Sequence, residues 1–195
     1  MKLLIVRHGE SEDDLTNSYG GWADFDLTKK GRSQAKSAAL EIAKLGVHFD
    51  LILTSPLKRA MQTASILADN LKIKTEVFEY IKERNTNGIM SGMVRTVAKE
   101  KYPWLVESLE NGDYVDGSER EIDIKNRVKK AYELIKDYDK RSLIIVTHGV
   151  FMNFLFPVVF GKKLVKKGDA SFILLDINRQ DDGFQIVTSH GIELQ

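Results

Sequence analysis

The stretch LLIVRHGES, residues 3–11, joins four consecutive apolar residues to an arginine, a histidine and a glycine. The same construction returns in LIIVTHG, residues 143–149. A short, unbroken apolar run predicts a strand that is buried on both faces of a parallel sheet. Each of the two predicted strands therefore ends on a histidine that precedes a glycine, at His8 and at His148.

Further strands and helices are predicted outward from these two stretches. The predicted strands are 3–6, 50–55, 73–78, 142–148 and, on either side of a turn at 178–183, 171–177 and 184–189. Helices are predicted from Thr28 to Gly46, from Pro56 to Asn70, from Met93 to Tyr102, from Glu121 to Tyr138 and from Val150 to Phe160, and a long loop at 7–27. Alternating strands and helices predict an α/β fold, a three-layer sandwich with a mostly parallel central sheet and helices on both faces.

The bulk composition is that of one ordinary globular domain. The 195 residues are 43% apolar and 29% charged, with a net charge of +1. We expect a single domain over residues 1–195, in which the irregular, polar segment 79–119 is an inserted specificity or lid region. The balanced charge predicts no nucleic-acid partner. No apolar run approaches the roughly 20 residues that span a bilayer, so no membrane partner is expected.

The chain contains no cysteine. This composition excludes disulfides, thiol catalysis and cysteine-ligated zinc. The first residues carry too short an apolar run for a signal peptide, and charges follow at once. We therefore expect a cytoplasmic protein.

Chemistry is expected beyond the carboxyl ends of the strands, where open α/β sheets bind their ligands. His8 and His148 end two strands, and Arg7 precedes the first histidine. The strand at 50–55 leads into TSPLKRA, which brings Arg59 to the same rim. Two guanidinium groups at one rim indicate an anion, most simply a phosphate held by bidentate hydrogen bonds.

A histidine beside a phosphate can act as a nucleophile. Neutral imidazole can attack phosphorus and give a phosphohistidine, while the arginines and the second histidine stabilise the charge on the phosphoryl oxygens. The leaving alkoxide then needs a proton from a carboxylic acid. The loop EYIKERNTNG, residues 79–88, offers Glu79 and Glu83, and we prefer Glu83 because it lies deeper in the irregular segment.

Less specific interpretations remain open at this stage. A single histidine at a strand end is more often a satisfied polar group, and His8 and His148 could bind a metal, although no third ligand with suitable spacing accompanies them. We expect no metal site. His48 is predicted to be on the surface and His190 to be structural. The lysines within 161–167 are predicted to be a solvated face.

Four motifs in order along the chain resemble the histidine phosphatase superfamily, and the nearest branch is the phosphoglycerate-mutase-like one. They are RHGES (7–11), GWADFDLTKKGRSQA (21–35), TSPLKRAMQTA (54–64) and IIVTHG (144–149). The resemblance implies an α/β sandwich and a phosphohistidine mechanism. By matching positions it implies that His8 is the nucleophile, that Arg7, Arg59 and His148 form the phosphate pocket, and that Glu83 is the acid.

The resemblance also implies substrate contacts, and the chain departs from the family's pattern at Asp13 and Asp14. Substrate-binding positions would be Arg7, Asn17, Gly21, Arg59 and Gly149. The family often has Trp-Asn where this chain has Asp13 and Asp14, and an ionised Asp14 would repel phosphate.

The family's two reactions share the phosphoenzyme. The short chain and the mixed charges of residues 84–119 favour a phosphatase acting on a small phosphomonoester. The alternative is a phosphoglycerate mutase, and a less favoured one is an inactive module that binds a phosphorylated ligand. The expected partner is a small phosphorylated metabolite and the chain would be a monomer or a homodimer. No cofactor is expected, except 2,3-bisphosphoglycerate if the mutase alternative holds.

Overall fold

The computed structural model of the protein describes residues 1–181 and 183–195. In these ranges six strands form one sheet in the order β3-β2-β4-β1-β5-β6. They are β1 (Lys2–Arg7), β2 (Leu51–Thr54), β3 (Thr75–Val77), β4 (Ser142–Thr147), β5 (Leu164–Ile177) and β6 (Phe184–Leu194). The first four strands in this order run parallel, and β5 and β6 pair antiparallel. The predicted α/β fold is confirmed.

Helices cover both faces of the sheet. The α-helices are α1 (Glu12–Thr16), α2 (Lys29–Ala43), α3 (Lys58–Leu71), α4 (Arg95–Lys101), α5 (Pro103–Glu110), α6 (Glu121–Lys136) and α7 (Gly149–Phe160). Short 3₁₀ turns lie at Glu79–Ile81 and Gly88–Met90. Across residues 1–181 and 183–195, none of the helices combines the length and apolar character that crossing a membrane requires.

The central strand β1 shows why the apolar run is uninterrupted. Leu3 and Ile5 enter the core cluster that contains residues of α6 and α7. Leu4 and Val6 point to the opposite face and enter the cluster that contains residues of α2 and α3. Each such buried side chain stabilises the fold by about 1.5–3 kcal/mol relative to an exposed one. The sheet therefore lies between two helical layers, and the carboxyl ends of its parallel strands remain available for polar side chains.

Two predictions near the amino terminus were wrong in detail. The segment 7–27, predicted to be a loop, contains α1, which begins after Ser11 and has three acidic residues in its first turn. Acidic residues there favour a helix start because they oppose the positive end of the helix dipole. The helix predicted from Pro56 begins at Lys58, since the Lys58 amide donates to Asp24 Oδ1 at 2.7 Å.

The segment 79–119 is more regular than predicted. The helix predicted over 93–102 is shorter, and α5 follows it directly, with Pro103 at its first turn, where proline is favoured. These helices pack on a small apolar cluster of their own: Tyr19, Met90, Ala98, Val106 and Val115. The role of this segment as a specificity or lid region stays a prediction.

The carboxyl-terminal pair of strands is longer than predicted. β5 begins at Leu164, inside the stretch predicted to be a solvated lysine face, and β6 continues to Leu194. Within the predicted turn 178–183, Asp182 lies outside the described residues. His190 stacks on Phe172 with ring centroids 5.3 Å apart, and His48 is exposed, as predicted.

Candidate active site

The imidazole of His8 lies at the carboxyl end of β1, only 5% exposed. Its Nδ1 is 2.7 Å from the carbonyl oxygen of Gly9, and its Nε2 is 3.3 Å from Nε of Arg59. A guanidinium only donates hydrogen bonds, so Nε2 must accept. The ring proton therefore resides on Nδ1, where it is donated to Gly9, and Nε2 carries a lone pair.

Arg59 reaches His8 from the first turn of α3. Its side chain is 2% exposed and is fixed by two further hydrogen bonds, from Nη1 to the Ala23 carbonyl at 2.8 Å and from Nη2 to the Gly21 carbonyl at 2.9 Å. Both acceptors belong to the loop before α2. The guanidinium thus joins three separate segments of the chain and places a positive charge against Nε2 of His8.

His148 lies at the end of the neighbouring strand β4, with its ring centroid 5.0 Å from that of His8. Its Nε2 is 2.6 Å from the hydroxyl oxygen of Ser55. Its buried Nδ1 has no hydrogen-bond partner among the residues that the structure describes. Buried polar atoms are rarely left unpaired in native proteins, so this nitrogen indicates a position where a ligand binds.

Arg7, the last residue of β1, lies at the edge of the same cluster. Its Nη1 forms an ion pair with Asp169 Oδ1 at 3.0 Å. Its buried Nε, like Nδ1 of His148, lacks a hydrogen-bond partner within the described ranges. These two unpartnered nitrogens, together with the buried cation of Arg59 and the partly exposed cation of Arg7, fit an anionic ligand.

Glu83 is held against the start of α7. Its Oε1 accepts hydrogen bonds from the amides of Phe151 and Arg84, each at 2.8 Å, and its Oε2 accepts one from Val150 at 3.1 Å. The positive end of the α7 dipole adds to this attraction for the carboxylate. The side chain is 8% exposed, so its position is well fixed.

Two side chains support the Glu83 backbone. The indole of Trp22 donates to the Glu83 carbonyl at 2.6 Å. Arg127 donates to the carbonyls of Lys82 and Glu83 and pairs with Glu119 at 2.7 Å. These contacts fix the irregular segment around Glu83 to the loop before α2 and to α6.

The electrostatics of the cluster keep both imidazoles neutral. Burial, together with the charges of Arg59 and Arg7, lowers the pKa of His8 well below its usual value. Burial also lowers the pKa of His148, and Arg59 and His8 add to the effect. Both rings are therefore uncharged near neutral pH.

Three predicted substrate-binding positions remain: Gly149, Gly21 and Asn17. Gly149 begins α7, where a Cβ would lie 3.4 Å from Arg7 Nε. Gly21 has φ +52°, and a Cβ there would lie 2.7 Å from Ser91 Oγ, so a side chain is excluded. Asn17 is exposed at the end of α1, and among the described residues its side chain forms no hydrogen bond with either histidine.

Asp14 lies exposed on α1, and Oδ2 of its side chain accepts a hydrogen bond from the Ser11 amide at 3.2 Å. Partial burial and the charges of Asp13 and Asp169 raise its pKa, while Arg7 opposes the rise. The carboxylate of Asp14 is thus close enough to the Arg7 guanidinium for the two charges to interact.

Three side chains near the cluster were missed by the sequence analysis. Ser55 contacts His148, Asp169 pairs with Arg7, and Lys167 approaches Gly149 and Arg7. The sequence could have indicated Ser55 as a site residue, because Ser55 directly follows β2 and other strand ends carry site residues. The other two depend on the path of β5. In the described part of the chain, no three His, Cys, Asp or Glu side chains are grouped to hold a metal ion.

Comparison with known sequences supports the same family. A family model described as "Histidine phosphatase superfamily (branch 1)" matches residues 3–187. Phosphoserine phosphatase 1 of Hydrogenobacter thermophilus is 34% identical over 172 residues, which cover 85% of this chain and 79% of that protein. A 2,3-bisphosphoglycerate-dependent phosphoglycerate mutase of Streptococcus agalactiae is 40% identical over 105 residues, covering 52% of this chain and 45% of the mutase.

Solved structures share the fold. Alpha-ribazole phosphatase from Shigella flexneri superposes with a TM-score of 0.82 at 19% identity, over 97% of this chain and 96% of that one. A mycobacterial glucosyl-3-phosphoglycerate phosphatase superposes with a TM-score of 0.75 at 21% identity, over 96% and 97% of the two chains. With the family model matching nearly its whole length, this chain belongs to the histidine phosphatase superfamily.

Proposed function

We propose that the protein is a phosphatase that hydrolyses small phosphomonoesters through a phosphohistidine on His8. The observation that supports this most is the buried, neutral imidazole whose Nε2 lone pair lies 3.3 Å from the Arg59 guanidinium. A neutral nitrogen nucleophile beside a fixed cation suits attack on a phosphoryl dianion.

The proposed reaction has two displacements at phosphorus. In the first, Nε2 of His8 forms a bond to phosphorus, the bond from phosphorus to the ester oxygen breaks, and Glu83 gives a proton to the leaving oxygen. In the second, the Glu83 carboxylate takes a proton from water, whose oxygen attacks phosphorus as the bond to Nε2 breaks. Arg7, Arg59 and His148 stabilise the charge on the three phosphoryl oxygens throughout.

The phosphatase is favoured over the mutase by the extent of similarity. The alignment with the phosphoserine phosphatase covers 79% of that protein, whereas the mutase alignment covers 45%. A second, bisphosphorylated ligand is also disfavoured by three acidic residues near the two arginines: Asp13 and Asp14, whose charges act on Arg59, and Asp169, which pairs with Arg7. We further propose that residues 79–119 set substrate specificity, because Asn85 and Ser91 of this segment approach Gly21.

The proposed chemistry uses only side chains of this chain, so we propose that no cofactor or metal is required. The mutase alternative would need 2,3-bisphosphoglycerate to prime His8. We retain a cytoplasmic location, a small phosphorylated metabolite as partner and a monomer or homodimer as proposals; the absence of cysteine fits the location.

A direct comparison of the two activities tests the proposal. The purified full chain is assayed for inorganic phosphate release from a panel of phosphomonoesters, and for interconversion of 3- and 2-phosphoglycerate with 2,3-bisphosphoglycerate present. We expect phosphate release to be the faster reaction. Faster interconversion would favour the mutase, and no turnover in either assay would favour the inactive binding module.

A further inference from the structure

β5 changes register beside the pocket. Lys167 pairs with Ile192 and Phe172 pairs with His190, so β5 advances five residues while β6 advances two. Within this bulge Ala170 has φ +52°, a left-handed conformation that is strained for a residue with a Cβ. The Ala170 amide donates to the His8 carbonyl at 3.1 Å, which fixes the bulge to the strand that carries the nucleophile. Bulges commonly redirect side chains next to active sites.

The side chain of Lys167, at the start of the bulge, reaches toward the pocket. A Cβ built on Gly149 would lie 2.9 Å from Lys167 Cε and 3.4 Å from Arg7 Nε. The side chains of Lys167 and Arg7 therefore both pack against Gly149, the residue that begins α7. Nζ of Lys167 donates to Oδ1 of Asn153 at 2.8 Å, one turn farther along α7. This contact fixes the ammonium group at the outer rim of the pocket.

Among the described residues, Lys167 is a cation without a carboxylate partner. Two basic side chains near the same cluster do have one, in the pairs Lys30–Glu10 at 2.6 Å and Arg7–Asp169 at 3.0 Å. In the part of the chain that the structure describes, no ion pair forms at Lys167. Burial and the Arg7 charge lower the pKa of Lys167, and the charge of Glu83 opposes the shift. A half-buried ammonium beside a second cation is expected to meet an anion.

We propose that Lys167 binds a carboxylate of the substrate, so that the preferred substrates are small phosphomonoesters that carry a carboxylate near the phosphorylated carbon. The inference rests on the phosphatase function proposed above. A carboxylate fits better than a second phosphate, because one ammonium and one neutral amide are too few donors for a dianion. Arg7 and Arg59 remain available for the phosphoryl group itself.

The test uses two pairs of compounds, each differing mainly in a carboxylate. O-phosphoserine is compared with O-phosphoethanolamine, and 3-phosphoglycerate with glycerol 3-phosphate. The wild-type protein should show the higher kcat/KM for the carboxylated member of at least one pair. In Lys167→Met, kcat/KM for that member should fall about tenfold or more, as for the loss of a hydrogen bond to a charged group. The uncarboxylated partner should change less than twofold.

Lys166→Met is the matched control. Lys166 precedes Lys167 in β5, is exposed and pairs with Glu193 at 3.0 Å. The substitution Lys166→Met therefore removes the same charge at a position outside the pocket. Its kinetics should match the wild type. An equal loss on both members of a pair in Lys167→Met would show that Lys167 binds the phosphoryl group and would overturn the inference. The absence of any change in Lys167→Met would also overturn it.

A separate measurement distinguishes failure of the proposed phosphatase function from failure of the carboxylate site. If the wild-type protein released no phosphate from p-nitrophenyl phosphate or from the four compounds, the phosphatase proposal would fail. The carboxylate site would then be tested by calorimetric binding of the same pairs. Tighter binding of the carboxylated member that is lost in Lys167→Met supports the site, and equal binding within each pair contradicts it.

Discussion

Nε of Arg59 donates a hydrogen bond to Nε2 of His8 over 3.3 Å, inside a region where both side chains are almost fully buried. The contact fixes the histidine tautomer, because the other ring nitrogen must then donate to the Gly9 carbonyl at 2.7 Å. It also places the positive charge beside Nε2, the atom to which the phosphoryl group would bond. His8 directly follows β1, and Arg59 lies in the first turn of α3, the helix that follows β2, so the sheet brings the two segments together.

Replacing Arg59 should impair both binding and catalysis. We expect Arg59→Ala to lower kcat/KM for p-nitrophenyl phosphate by about 100-fold or more, as for the loss of one donor to a transition-state oxyanion. Inhibition by inorganic phosphate should weaken in parallel. Arg59→Lys keeps the charge but not the fork of donors, so it should recover only part of the activity. A loss below threefold in a folded Arg59→Ala protein would contradict this role.

Glu83 should matter most when the leaving group is poor. In Glu83→Gln, phosphate release from alkyl phosphates should fall strongly, because an alkoxide needs a proton as it leaves. Release from p-nitrophenyl phosphate should fall least, since p-nitrophenolate leaves without one. Glu79→Gln is the control from the same loop and should match the wild type. The reverse ranking of substrates would show that Glu83 is not the acid.

The buried histidines should make the fold sensitive to acid. Their pKa values are lowered in the folded state, whereas in the unfolded chain a histidine takes up a proton near pH 6.5. The unfolded state therefore binds more protons below about pH 6.5, and the free energy of unfolding falls as the pH drops through that value. The slope is at most about 1.4 kcal/mol per pH unit for each histidine.

Urea denaturation in phosphate-free buffer between pH 7.5 and pH 5.5 measures this effect. His148→Asn should have a shallower dependence of the free energy of unfolding on pH than the wild type. His48→Asn changes an exposed histidine and should keep the wild-type dependence. Identical slopes in all three proteins would show that folding does not lower the pKa of His148 and would contradict the prediction.

Asp14 should weaken phosphate binding at neutral pH. In Asp14→Asn, KM for p-nitrophenyl phosphate at pH 7 should fall by a few-fold, because a negative charge near Arg7 is removed. The raised pKa of Asp14 means that the wild-type carboxyl gains its proton earlier as the pH falls. The advantage of Asn should therefore shrink toward pH 5. Glu12→Gln on the same helix is the control, and an equal KM for wild type and Asp14→Asn at pH 7 would contradict the effect.

The sequence predicted those site residues that follow directly from strand ends. His8 and His148 follow unbroken apolar runs, and parallel strands bring their carboxyl ends together, so their proximity could be predicted. The position of Arg59 near the two histidines could be predicted for the same reason. Its hydrogen bonds to Gly21 and Ala23 could not be predicted, because they depend on how the loop before α2 folds back.

The residues that escaped prediction depend on irregular backbone. Lys167 precedes a bulge in β5 and Asp169 lies within it, and the number of residues in a bulge is set by tertiary packing rather than by local pattern. Their lysine-rich neighbourhood has the composition of a solvated face, which is how Lys162, Lys163 and Lys166 behave. The helix α5 was missed because Pro103 was not recognised as a helix start.

Identification of the phosphorylated residue tests the central claim most directly. The wild-type protein and His8→Ala are mixed with p-nitrophenyl phosphate and quenched within milliseconds in alkaline denaturant, which preserves phosphohistidine, and the peptides are sequenced by mass spectrometry. We predict a phosphoryl group on His8 in the wild type, with none on the variant and no turnover by it. A phosphoryl group on a different residue, or undiminished phosphate release by a folded His8→Ala protein, would contradict the account.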